Sequence, residues 1–307
     1  MSVALYTHPA CLGHDTGPGH PESPARLRAA LEALDDPRFP PLHRIEAPRA
    51  TREQLLRVHD AAYVDRVFDA SPRQGSVRLD PDTVMSPGSL EAALHATGAV
   101  CAAVDAMMTN GTQRAFCAVR PPGHHATRDT AMGFCLFNSI AVGAAQALDA
   151  HGLQRVAIID FDVHHGNGTQ AIFWNDPRVL YVSSHQMPLY PGTGAAAERG
   201  AGNIVNAPLP PDSGSREFRA AWNDTLLPAI DAFHPELLLI SAGFDAHRLD
   251  PLAQLRLETE DFAWTTRRLC ELADRHAHGR VVSSLEGGYD LGALRESVAV
   301  HVAEMMA

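Results

Sequence analysis

The sequence predicts an α/β fold, a single-domain open parallel β-sheet with helices on both faces that spans residues 1–307. Short apolar, β-branched runs alternate with longer helical segments along the whole chain, the pattern left by parallel strands joined through crossover helices. Clusters of His, Asp and Tyr follow several of these runs, at what would be the carboxyl edge of such a sheet. No linker or shift of composition divides the chain, and it contains no internal repeat or low-complexity segment.

In chain order, Val3–Thr7 reads as a strand and the Gly/His/Pro-rich residues 11–22 as an irregular loop. Ser23 as N-cap with Pro24 at the first helical position opens a helix that places Leu27, Leu31 and Leu34 on one face. Thr51 and Gln54 fit a capping box starting an interrupted helical stretch to about Ala70. Residues 71–88, with three prolines, read as a long irregular rim or lid. Residues 89–108 read as an amphipathic helix stopped at Asn110-Gly111, followed by a strand at 115–119 and a helix over 138–150. The remaining strands fall at Val156–Asp160, 179–184, Leu237–Ala242 and 280–285, separated by helices, with a second Gly/Pro-rich loop before a helix over 216–233.

Composition narrows the function. A net charge of −11 disfavours a nucleic-acid partner. No basic, apolar leader opens the chain, and no run reaches the ~18 apolar residues of a membrane span. The five cysteines, at 11, 101, 117, 135 and 270, are odd in number and lack a C-x-x-C spacing, so they read as reduced thiols of a cytoplasmic protein. Self-association into a homo-oligomer stays open.

The stretch 155–170, RVAIIDFDVHHGNGTQ, concentrates the chemistry. In an extended backbone Asp160, Asp162 and His164 project from one face, and two carboxylates with an imidazole suit a divalent metal; a capped surface turn is the alternative. His124-His125, Asp160 to Asn167, Ser183 to His185, Asp245 with His247, and Tyr289 each follow a different strand. That convergence favours the metal reading.

RPPGHHA, GFCLFNS, the 155–170 stretch, PGTG, AGFDAH and LEGGYDL, in this order, resemble the zinc-dependent histone deacetylase family, of the class II and bacterial amidohydrolase type. The resemblance implies an arginase/deacetylase-like fold and hydrolysis of an N-acetyl amide, in an acetylated peptide or a small acetylated amine. It implies Zn²⁺ on Asp162, His164 and Asp245. His125 would be the general base, His124 its electrostatic neighbour backed by Asp160, Asn167 the partner of His125, and Tyr289 the oxyanion donor. Phe134 and Tyr190 would wall the acyl tunnel, with the Gly133 carbonyl accepting the amide N–H. A structural K⁺ would sit on Asp160, Ser183 and backbone carbonyls of Asp162, His164 and Ser184. Phe173 and Val179 match a second alkali site, where Asp176 departs from the family pattern. Arg26 would line an exit channel, unless it is a surface arginine of its helix; His14, His20 and His185 receive no role.

Three rivals remain at this point. An acetylpolyamine hydrolase needs an acidic gatekeeper, for which Asp82 and Glu198 are available. An arginase-type two-metal hydrolase would enlist His247 and Asp250. A catalytically silent acyl-lysine binder would have no use for the histidine pair.

Overall fold

The computed structural model describes residues 2–37, 39, 42–109, 111 and 113–307. Its strands are β1 (Val3–Thr7), β2 (His43–Glu46), β3 (Val77–Arg78), β4 (Val84–Met85), β5 (Arg114–Cys117), β6 (Val156–Asp160), β7 (Val179–Gln186), β8 (Ile204–Leu209), β9 (Leu237–Ala242) and β10 (Val281–Leu285). Eight form one sheet in the order β2-β1-β5-β10-β9-β6-β7-β8, and every pairing in it is parallel. The inner strands β5, β6, β9 and β10 are buried along their whole length, which is why β6 and β9 read as nearly continuous apolar runs.

The helices are α1 (Pro24–Leu34), α2 (Arg52–Leu56), α3 (Ala61–Ala70), α4 (Ser89–Thr109), α5 (Ser139–Asp149), α6 (Asn167–Phe173), α7 (Ser215–Ala221), α8 (Leu227–Phe233), α9 (Thr259–His276) and α10 (Leu291–Met306). α4 and α5 pack on each other and on the sheet, while α1, α9 and α10 form a second packed group against it. Local signals set several helix starts. The Thr51 capping box forms in both directions, Asn138 Oδ1 accepts from the Ala141 N–H at 3.0 Å, and Asp290 Oδ1 accepts from the Ala293 N–H at 2.8 Å.

Several points differ from the sequence reading. α4 is not amphipathic: it is buried nearly all round, because its small residues admit neighbours on every side. It is also long and apolar enough to cross a membrane, but 78% of its most apolar window lies buried inside the fold. The stop proposed at Asn110 lies outside the described residues. Within residues 71–88, β3 and β4 pair antiparallel, so that rim is partly regular. β2 and β8 have no counterpart in the sequence reading; β2 is an exposed edge strand, HRIE, without an apolar face.

One buried ionic cluster ties the amino-terminal loop to the sheet. Arg120 donates from Nε and Nη2 to the two Glu22 oxygens at 2.6 Å each, and from Nη1 to the carbonyls of Cys11 and His14 at 2.9 Å. Arg26 joins the same carboxylate at 3.2 Å, and all three side chains are fully buried. Burial alone would push the Glu22 carboxyl up, yet Arg120 and His14 hold it well below the usual carboxylate range.

Glu22→Gln leaves two buried guanidinium groups without their counter-charge, so it should destabilise the fold by about 3–5 kcal/mol in urea denaturation. Glu91→Gln, which breaks only an exposed pair with Arg49, should leave the midpoint unchanged. Because the Glu22 carboxyl is depressed in the folded state, its contribution is present above the unfolded value of about 4.3 and fades as pH falls toward the folded one. The wild-type and Glu22→Gln stabilities should therefore converge in acid.

Candidate active site

The order of the sheet makes β5, β10, β9, β6 and β7 neighbours, so the loops leaving their carboxyl ends meet at one place. Three side chains from these loops converge. His164 Nδ1 lies 3.2 Å from Asp162 Oδ1 and 3.1 Å from Asp245 Oδ2, and one ligand atom from each residue falls within 4.8 Å of the others. Ligands on a tetrahedral zinc, with bonds of about 2.0–2.1 Å, stand about 3.3 Å apart, so this O, N, O set fits a small divalent cation. Burial opposes charge on His164, but the two carboxylates outweigh it and raise its pKa to about 10, the mark of a place that attracts positive charge.

The carboxylates are held by the backbone. Val163 N–H donates to Asp245 Oδ1 at 2.9 Å and Gly287 N–H to Asp162 Oδ2 at 2.8 Å. Gly243 and Gly287 press against the same carboxylates, and a Cβ at either would collide with them. Asp160 does not join this group. The chain bends as it leaves β6, ending the strand alternation, and Asp160 turns to His124 instead.

The two adjacent histidines have opposite surroundings. His124 Nδ1–H donates to Asp160 Oδ2 at 2.9 Å; burial alone would depress its pKa, but Asp160 and Asp162 raise it to about 10. His125 Nδ1–H donates to Asn167 Oδ1 at 2.7 Å, and burial together with the nearby His124 and His164 keeps its pKa well below the usual imidazole value. With ring centroids 4.1 Å apart, the site sets an imidazole backed by a carboxylate beside one backed by a neutral amide. Tyr181, absent from the sequence reading, hydrogen-bonds both Asp160 Oδ2 and the Gly166 N–H at 3.1 Å.

These groups open into a cavity of about 230 Å³ lined by His124, His125, Gly133, Phe134, His164, Leu189, Tyr190, Leu252 and Tyr289, with Asp82 in its wall. Phe134 stands edge-on to Tyr289 at 5.9 Å and Tyr190 edge-on to His125 at 5.2 Å. Gly133 adopts a positive φ of 56° against the His125 ring, where a Cβ would collide; its carbonyl accepts from the Cys135 thiol at 3.2 Å. Arg26 is a buried residue, not a surface one: its guanidinium lies 4.7 Å over the Tyr289 ring and donates to the carbonyls of Gly288 and Glu286 at 2.5 Å each.

Other candidates take supporting places around the site, His20 standing edge-on to Phe134 at 4.8 Å. Glu198 is no gatekeeper, since its carboxylate accepts from Gln170 Nε2 and from the Gly194 and Ala195 N–H groups. His247 and Asp250 do not join the ligand group; Asp250 braces the tyrosine loop by accepting from the Tyr289 N–H at 2.7 Å. His14 bonds Ser89 Oγ, His20 contacts the Glu22 and Asp82 carbonyls, and His185 joins Ser183 Oγ to the Gly194 carbonyl. The carbonyls of Phe173, Asp176 and Val179 do converge, but on the Asn203 side-chain amide, whose Nδ2 lies 2.8, 3.0 and 2.8 Å from them. Asn203 thus occupies the centre of that carbonyl cluster. Near β7, Asp160 pairs in register with Ser183, and the Ser184 hydroxyl accepts from Trp222 Nε1 at 3.1 Å.

Comparison with known proteins points the same way. Residues 20–305 match the family model described as histone deacetylase domain. The chain is 40% identical to a histone deacetylase-like amidohydrolase of Pseudomonas aeruginosa, covering 94% of this chain and 81% of that one. It is 39% identical to a probable deacetylase of Archaeoglobus fulgidus, over 96% of this chain and 83% of the relative. The crystal structure of the HDA15 HD domain superposes with a TM-score of 0.93 at 37% identity, covering 99% of this chain and 88% of that one.

Gly243→Ala should drive the Asp162 carboxylate out of the ligand group. The variant is expected to keep its circular dichroism spectrum while its stoichiometric binding of a divalent cation, measured by metal analysis after dialysis, falls below a tenth of wild type, about 1.4 kcal/mol or more in binding.

Proposed function

This chain belongs to the histone deacetylase family, and on that premise we propose that it is a zinc-dependent amidohydrolase removing the acetyl group from acetyl-lysine in a peptide. The observation that carries the reading is the histidine pair in one cavity wall, His124 backed by the Asp160 carboxylate and His125 by the Asn167 amide, beside a three-ligand O, N, O group and opposite a tyrosine. A mere binder of acyl-lysine needs no such proton-handling pair.

Zn²⁺ bound by Asp162, His164 and Asp245 would supply Lewis acidity toward the substrate carbonyl and make water more acidic. The chain's own groups do the rest. His125, with Nδ1 committed to Asn167, has Nε2 free to take a proton from water as that water attacks the carbonyl carbon. His124 stays cationic and offsets the developing negative charge. Burial keeps the Tyr289 hydroxyl protonated, so it can donate a hydrogen bond to the oxyanion. His125 then returns its proton to the amine nitrogen as the C–N bond breaks, leaving acetic acid and the amine, which at neutral pH part as acetate and an ammonium ion once the remaining proton has moved to the amine. Phe134 and Tyr190 flank the acyl-lysine stem, and the Gly133 carbonyl has a lone pair for its amide N–H.

A structural K⁺ on Asp160, Ser183 and the carbonyls of Asp162, His164 and Ser184 is supported by an all-oxygen donor set. A cytoplasmic location accords with five buried, unpaired cysteines. Asp82 in the cavity wall favours a second reading, in which the substrate is an acetylpolyamine whose cationic amine it would pair with.

Tyr289→Phe is expected to retain one zinc per chain and lose about 10²–10³-fold in kcat on an acetyl-lysine peptide, as for a lost oxyanion donor. Near-normal turnover would remove the hydroxyl from the reaction. Assaying wild type on the peptide and on an acetylpolyamine decides between the two substrate classes.

A further inference from the structure

A buried carboxylate with no place in the reaction above holds the histidine pair from behind. Glu286 follows β10 and is 1% exposed, yet it does not line the cavity. Pro121 and Pro122 carry no N–H, so the first backbone donors after Arg120 belong to Gly123 and His124. Both point at one oxygen, Glu286 Oε2, at 2.6 and 3.2 Å. The other oxygen accepts from the Ser241 hydroxyl at 3.2 Å. The Glu286 backbone is pinned as well, its N–H donating to the Ala242 carbonyl at 3.0 Å and its carbonyl accepting from Arg26 Nη2 at 2.5 Å.

One side chain therefore joins three pieces of the site: the His124-His125 loop, the end of β9 four residues before Asp245, and the loop that leads to Tyr289. Three donors converging in a dry interior call for a side chain that offers one acceptor oxygen to the two amides and a second polar atom to the Ser241 hydroxyl. We propose that Glu286 is a positioning residue, which sets the His124-His125 backbone at the height where the two imidazoles meet Asp160, Asn167 and the substrate. The proposal rests on the amidohydrolase reading. Misplacement of a proton-transfer group by about 1 Å lowers turnover about 100-fold, so the loss should fall on kcat, not on substrate binding.

The test uses full-length, zinc-loaded protein with two variants and two readouts. Glu286→Gln keeps an oxygen for the two amides and turns its NH₂ toward Ser241 Oγ, which can accept. It should retain kcat within about threefold. Glu286→Ala leaves the donors unpaired; kcat should fall about 30- to 100-fold with KM within about twofold and one zinc per chain. Hydrogen exchange of a peptide spanning residues 118–126 should be at least about tenfold faster in Glu286→Ala and native in Glu286→Gln. A folded Glu286→Ala with native kcat, an equal loss in both variants, or a loss confined to KM overturns the proposal. If Glu286→Ala does not fold, Glu286→Asp decides, because it withdraws the carboxylate by one methylene: lowered kcat at native KM supports the role, and native kcat overturns it. Absence of wild-type turnover on every acetylated substrate would instead overturn the amidohydrolase reading, and exchange at the two amides would still decide what Glu286 does.

Discussion

Buried negative charge governs this molecule. Asp160, Asp162, Asp245 and Glu286 all lie at one edge of the sheet with at most 1% of their surface exposed. Carboxylates removed from water are tolerated only when paired or hydrogen-bonded. The surroundings answer that demand with imidazoles at His124 and His164, with backbone N–H groups of Gly123, Val163 and Gly287, and with hydroxyls of Tyr181 and Ser241. Several glycines crowd the site because a Cβ at Gly166, Gly243 or Gly287 would collide with one of these carboxylates. Residual negative charge around His164 is what makes a cation welcome there.

The same balance separates the two histidines. Adjacent in sequence and similarly buried, they differ in what lies behind each ring: a carboxylate for His124, a neutral amide for His125. A charged partner keeps the first protonated, and the first then suppresses protonation of the second. The difference between Asp160 and Asn167 thus gives two chemically identical side chains distinct proton affinities.

Much of this could be read from the chain because the site is built from short motifs at strand ends, where polarity changes abruptly. Asp162, His164, Asp245, His124, His125 and Tyr289 each follow an apolar run, and the run predicts both the strand and the end at which its loop emerges. What escaped depends on contacts between distant segments. Glu286 sits in the same motif as Tyr289, but its partners Gly123 and Ser241 are identified only once the strand order is known. Arg26 looks like any helical arginine until the fold sets it over a tyrosine 263 positions later. α4 misled for a different reason: alanines and glycine give no signal of which side is covered, and here nearly all of them are. β2 lacks an apolar face because it is an edge strand, and β8 follows a Gly/Pro-rich loop whose irregularity hid its start.

Asn203 has a wider consequence. Its Oδ1 accepts from the Ala201 N–H at 3.0 Å, which fixes the amide so that its nitrogen faces the three carbonyls after α6. A neutral, covalently tethered donor is neither diluted away nor exchanged for another species in the medium. The turn before β7 should accordingly keep its shape in sodium-rich and potassium-poor buffers alike, and any response of the molecule to the choice of monovalent salt must originate elsewhere.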